Sequence, residues 1–151
     1  MVFDNAFFER WRPRVLAMLR IVSAYLFILH GTSRLAGVPH IEIFHGLQAF
    51  SLVGIIGTLE LVAGALLLLG LFTRPIAFVL SCHMAFSYLA GHKYEGNVLI
   101  PLLDQGELAL LYCYVFLYLG VAGAGSLSLD SALRSRKSRV SKTAAGHAMS
   151  K

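Results

Sequence analysis

Residues 47–74 read LQAFSLVGIIGTLELVAGALLLLGLFTR, an apolar run interrupted near its middle by one carboxylate, Glu60. About 20 mostly apolar residues suffice for a helix to cross a bilayer, so the run is long enough to span. A carboxylate at that depth is costly against lipid and must face protein or a water-lined cavity. Gly57, Glu60 and Gly64 stand three and four residues apart, which puts them on one helical face. Small residues let helix backbones approach closely in lipid, so Glu60 is predicted to lie in a helix–helix interface.

The rest of the chain is of the same kind. It has 151 residues, 57% of them hydrophobic and only 14% charged. A soluble domain has about 25% charged residues, so the composition is that of an integral membrane protein of one domain. The first apolar run starts late and no small-residue cleavage site precedes a polar segment, so no cleavable signal peptide is expected. Cys82 and Cys113 lie inside apolar runs without CxxC or zinc spacing and read as small packing residues. The net charge of +5 comes from basic residues that flank the apolar runs. That is a membrane-topology pattern and not a nucleic-acid groove.

Outward from the opening stretch, four spans emerge. Residues 1–14, with Phe3, Phe7, Phe8 and Trp11 between charges, form an N-terminal cytoplasmic or interfacial segment. Span one runs from Val15 to about His30, and its Arg20 is expected to snorkel to the near headgroups. His30 and Arg34 share a face at its far end, before Gly37 and Pro39 break the helix. The short Thr73–Arg74–Pro75 connection makes spans two and three antiparallel neighbours. Span three, Pro75 to Ala90, carries His83 near its centre; a polar loop and a short apolar piece, Val98 to Leu103, follow. Asp104 is the expected N-cap of span four, Glu107 to Val121. The tyrosines of span four read as packing and interface belt, and Asp130 is expected to cap a short helix over Ser131–Arg136. Residues 131–151 form a basic, partly disordered tail.

With four spans both termini lie on one side. Arg10, Arg12, Arg14, Arg20, Arg74, Arg134, Arg136, Lys137, Arg139, Lys142 and Lys151 fall on that side, against Arg34 and Lys93 on the other. This asymmetry predicts N-in and C-in. The fold class is therefore all-α, an integral membrane four-helix bundle with both termini on the inner side.

Three blocks carry a resemblance to a known family. They are His30–Gly31 at the end of span one, Glu60 followed by LLLLGLFTRPIA (Leu66 to Ala77), and GELALLY to GAGSLSLD (Gly106 to Asp130). The chain resembles the DoxX family of small four-helix membrane proteins over residues 15–130. Where the family often has asparagine-glycine before the last GE, this chain has Asp104, Gln105, Gly106, Glu107. The resemblance implies a cytoplasmic-membrane protein. Some relatives are subunits of thiosulfate:quinone oxidoreductases, others are linked to oxidative or thiol stress, and many have no assigned activity.

The residues that could carry chemistry are few. Glu60 lies 13 residues from the outer start of span two, and His83 eight residues from the inner start of span three. At a rise of about 1.5 Å per residue both reach the membrane middle, where a Glu60–His83 pair lowers the cost of burying either group. His30, Arg34 and Glu107 would form a second polar layer above them. The candidate pocket residues are thus His30, Arg34, Glu60, His83 and Glu107. If the ligand is a quinone, His30 or His83 could bond its carbonyls and Glu60 or Glu107 exchange its protons. The chain has no CxxCH, cysteine cluster or dinucleotide fingerprint, so no covalently bound cofactor is expected and a redox partner subunit would carry electrons. A metal site at these residues lacks any spacing signature. The other reading is a non-enzymatic scaffold or a carrier of lipids or small molecules. Four short spans leave enough lipid-facing surface for a homodimer.

Overall fold

The computed structural model describes residues 5–39, 52–91, 101, 106–133 and 135. These contain four α-helices and no strand: α1 (Asn5–Ala36), α2 (Leu52–Leu69), α3 (Thr73–Gly91) and α4 (Glu107–Ala122). The expected cap Asp104, the polar loop after Gly91 and the basic residues beyond Ser135 lie outside the described residues.

The helix α1 is continuous through Pro13, so the segment before Val15 extends the first span as one helix of 32 residues. Among the described residues, α1 alone is both long and apolar enough to cross a membrane; α2 is apolar and 18 residues long, and α4 apolar and 16. Proline in a helix interior removes one donor, the one that would meet the carbonyl four residues earlier; the Pro13 carbonyl itself accepts from Ser126 N–H at 3.1 Å.

The bundle is built from two tight pairs, α1 with α2 and α3 with α4, while α2–α3 and α1–α4 touch more lightly. The connection is residues 70–72, and Thr73–Arg74–Pro75, expected to form it, instead open α3. It does make α2 and α3 neighbours, but each packs more closely on another partner. Glycine explains the first pair. A Cβ on Gly31 would stand 2.7 Å from Leu61 N and 2.9 Å from Gly57 O, so only glycine permits that crossing. In the second pair Ser81 Oγ donates to the Cys113 carbonyl at 2.9 Å. Phe27 of α1 joins the pairs, meeting Phe116 edge-on at 4.9 Å between centroids and Tyr112 at 5.7 Å. Edge-to-face aromatic pairs add about 0.5–1.5 kcal/mol beyond burial.

Polarity is distributed inside out. Arg20, Ser23, Ser33, Glu60, Thr73 and Ser81 are buried. Val22, Tyr25, Ile55, Val62, Phe86, Leu111, Tyr114 and Val121 are exposed. A soluble monomer rarely shows that much contiguous apolar surface, whereas a bilayer solvates it.

Candidate functional site

Two polar clusters occupy opposite ends of the bundle. The first lies where α1 ends, and it is assembled by the glycine crossing. Gly57 faces Arg34, whose Cβ would be 3.0 Å from any Cβ placed there, so the arginine stem can lie along α2. Its Nη1 then reaches Glu60 Oε1 at 3.1 Å. His83 Nε2 on α3 meets the same oxygen at 3.2 Å. Glu60 is 1% exposed, and its second oxygen, Oε2, has no hydrogen-bond partner among the described residues. One carboxylate thus ties α1, α2 and α3 through one oxygen and keeps an open acceptor on the other. Breaking a buried ion pair from one side typically costs about 3–5 kcal/mol, because the remaining charge is stranded.

His30 stands one ring away. Its Nδ1 donates to the Leu26 carbonyl at 2.9 Å, since a carbonyl only accepts. That leaves Nε2 for another partner. The Phe27 ring neighbours both histidines, 6.3 Å from His30 and 6.4 Å from His83 between centroids. Glu107 does not join the group. It is exposed in the first turn of α4, where a negative charge complements the helix dipole, and it makes no hydrogen bond or ion pair with the other four candidates. The N-cap of α4 is Gly106, without a side-chain cap bond. Among the described residues no three His, Cys, Asp or Glu side chains converge on a possible metal position. Cys82 is exposed and Cys113 half-buried, both as free thiols.

The second cluster corrects two expectations. Arg20 does not snorkel; it is 1% exposed and points into the protein. Nε donates to Ala124 O at 3.0 Å, Nη1 to Leu67 O at 2.5 Å and Leu68 O at 2.8 Å, and Nη2 to Leu127 O. Leu67 and Leu68 supply two of the carbonyls that end α2, so the guanidinium caps that helix and sits at its negative pole. Gly70, at φ 67°, closes the same end in a Schellman turn, with Leu71 N–H on Leu66 O at 3.0 Å and Gly70 N–H on Leu67 O at 3.1 Å.

Asp130 likewise serves a different helix. Its carboxylate accepts from Phe72 N–H at 3.1 Å and Thr73 N–H at 3.0 Å, which caps α3. The short helix in which Asp130 lies begins at Leu129 and is capped by Ser128, whose Oγ accepts from Ser131 N–H at 3.2 Å. The segment after α4 therefore sews together the start of α1, the end of α2 and the start of α3. Sequence reasoning singled out this GAGSLSLD block but saw no partner for it; the signal was a lone buried-depth arginine and a lone aspartate in apolar surroundings.

The chain matches the DoxX family over residues 15–93. It is 46% identical over 126 residues to an uncharacterised protein of Haemophilus influenzae, a match covering 82% of this chain and 93% of that one. It is 29% identical to the inner membrane protein YphA of Escherichia coli, covering 79% of this chain and 90% of the relative. CatD of Bacillus subtilis, which carries a provisional oxidoreductase name, is 27% identical, covering 75% and 82%. No solved structure gives a significant match. With an inside-out distribution of polarity and a family match over more than half its length, the chain belongs to the DoxX family of membrane proteins.

Proposed function

We propose that this protein is a multi-pass component of the inner membrane, with both termini cytoplasmic, that binds a quinone at the Arg34–Glu60–His83 cluster and works with a redox partner subunit. The observation that carries this reading is the buried Glu60 carboxylate with one oxygen held and the other open. An unsatisfied buried acceptor costs about 1–3 kcal/mol, which a hydroxyl of the reduced form, the quinol, can return. A quinone couples two electrons to two protons when reduced. In this reading Glu60 exchanges a proton at Oε2. His83 orients Glu60 through Oε1, and Arg34 offsets the cost of burying its charge. His30, with Nε2 unengaged by its own helix, offers a second hydrogen-bonding point. Phe27 supplies an apolar ring beside both histidines. The inner-membrane name of YphA and the oxidoreductase name of CatD lean the same way.

The test is binding of a short-chain quinone and of its quinol to purified protein in neutral detergent. Glu60→Gln and His83→Ala are each expected to weaken binding about tenfold, the equivalent of one charge-assisted hydrogen bond, or ~1.4 kcal/mol. Full quinone affinity in both variants removes the site. A second reading has its own support. The cluster joins three helices whether or not a ligand binds, as a non-enzymatic scaffold or lipid carrier would require. Extraction of the purified protein separates the readings: bound quinone favours the first, and its absence the second.

A further inference from the structure

The segment sewn across the other end of the bundle leaves a cavity of about 220 Å³, lined by Arg74, the backbone of Gly123–Gly125, Ser128 and Asp130. Most polar groups there are already used. Both Asp130 oxygens accept from backbone N–H groups, Ser128 Oγ accepts from Ser131 N–H, and Arg20 spends its donors on carbonyls. Arg74 is different: it is exposed and makes no hydrogen bond or ion pair with any described residue. Its Nε lies 3.4 Å from where a Cβ on Gly123 would stand, so the guanidinium lies along a loop that carries no side chain at that point. Gly123 has φ 93°, a conformation that favours glycine and keeps the approach open.

Arg74 and Asp130 are the charged side chains that line this cavity. The Asp130 oxygens are both held by backbone N–H groups, so the Arg74 guanidinium is the group left to meet an anion. A second, apolar groove of about 600 Å³ runs between α1 and α4, lined by Trp11, Leu16, Leu19 and Tyr118. Ala122 lines both cavities, so the polar one and the apolar one adjoin. Trp and Tyr at such a level mark the headgroup region of a bilayer.

We infer that this end of the bundle binds an anionic phospholipid, with its phosphate on Arg74 and an acyl chain in the α1–α4 groove. An arginine fork matches phosphate oxygens in a paired geometry, and the groove supplies what a free anion could not use. The site is independent of the Glu60 cluster.

Native mass spectrometry of the full chain in neutral detergent tests it, with phosphatidylglycerol, diacylglycerol of the same chains, and inorganic phosphate as probes. The expected result is one retained phosphatidylglycerol per chain and little retained diacylglycerol. Arg74→Gln should lower phosphatidylglycerol retention about fivefold, the effect of one interfacial arginine, and Arg74→Lys should lower it less. Arg74 is exposed, so helix content by circular dichroism should not change. Equal retention by Arg74→Gln, or equal retention of diacylglycerol, overturns the inference. Binding of inorganic phosphate through Arg74 without retention of phosphatidylglycerol also overturns it and assigns the cavity to a soluble phosphate.

Discussion

Arg20→Met removes the knot at one end of the bundle while keeping a long apolar stem. The guanidinium donates to four carbonyls on two segments, the end of α2 and the loop after α4. Measured side-chain hydrogen bonds inside membrane proteins average about 0.6 kcal/mol, which gives a floor near ~2.4 kcal/mol for four. Bonds from a charged donor are worth about 1.5–3 kcal/mol each, but bonds made by one group do not add fully. The expected loss is therefore about 2–5 kcal/mol. Arg20→Lys should lose roughly half of this, because three donors on one ammonium cannot span carbonyls that a planar fork reaches together. The assay is equilibrium unfolding in mixed micelles titrated with dodecyl sulfate and followed by circular dichroism. A snorkelling arginine would make Arg20→Met nearly neutral. An unfolding free energy within about 1 kcal/mol of the unsubstituted chain would refute the capping role.

Two other substitutions probe the frame. Gly31→Leu places a side chain where Leu61 N would be 2.7 Å from its Cβ, so α1 and α2 must part. The same titration should show a loss of at least about 2 kcal/mol, together with weaker quinone binding, since Arg34 would be drawn away from Glu60. Asp130→Ala strips both N–H partners from the start of α3 and should cost about 1–2 kcal/mol, with Asp130→Asn intermediate. An unchanged midpoint in Asp130→Ala would mean that water caps α3 equally well.

The two clusters differ in how far the linear chain revealed them. The Glu60–His83 contact follows from depth counting along two adjacent helices, and the 3.2 Å separation in the structure agrees with that expectation. Arg34 was visible as one helical turn from His30, but its reach to Glu60 depends on Gly31 and Gly57 letting the backbones close up. Glu107 falls at the same outer level as His30 and Arg34 by residue counting and still stands apart, because α4 packs on α3 and that residue is exposed. Depth is a one-dimensional quantity; rotation about the helix axis decides contact.

What the sequence determined by itself is therefore the helical class, the apolar runs, the family and the depth of each titratable group. Hydropathy and helical rise depend only on local order along the chain. What the tertiary structure decided is the partner of each buried polar group. Arg20 sits one and a half turns inside span one, a position equally suited to headgroups or to a capping role. Its acceptors lie 47 to 107 residues further along, and no local pattern announces backbone carbonyls as partners. The choice belongs to the Schellman turn at Gly70 and the returning GAGSLSLD segment, which bring unpaired carbonyls to one point where a single guanidinium can satisfy them.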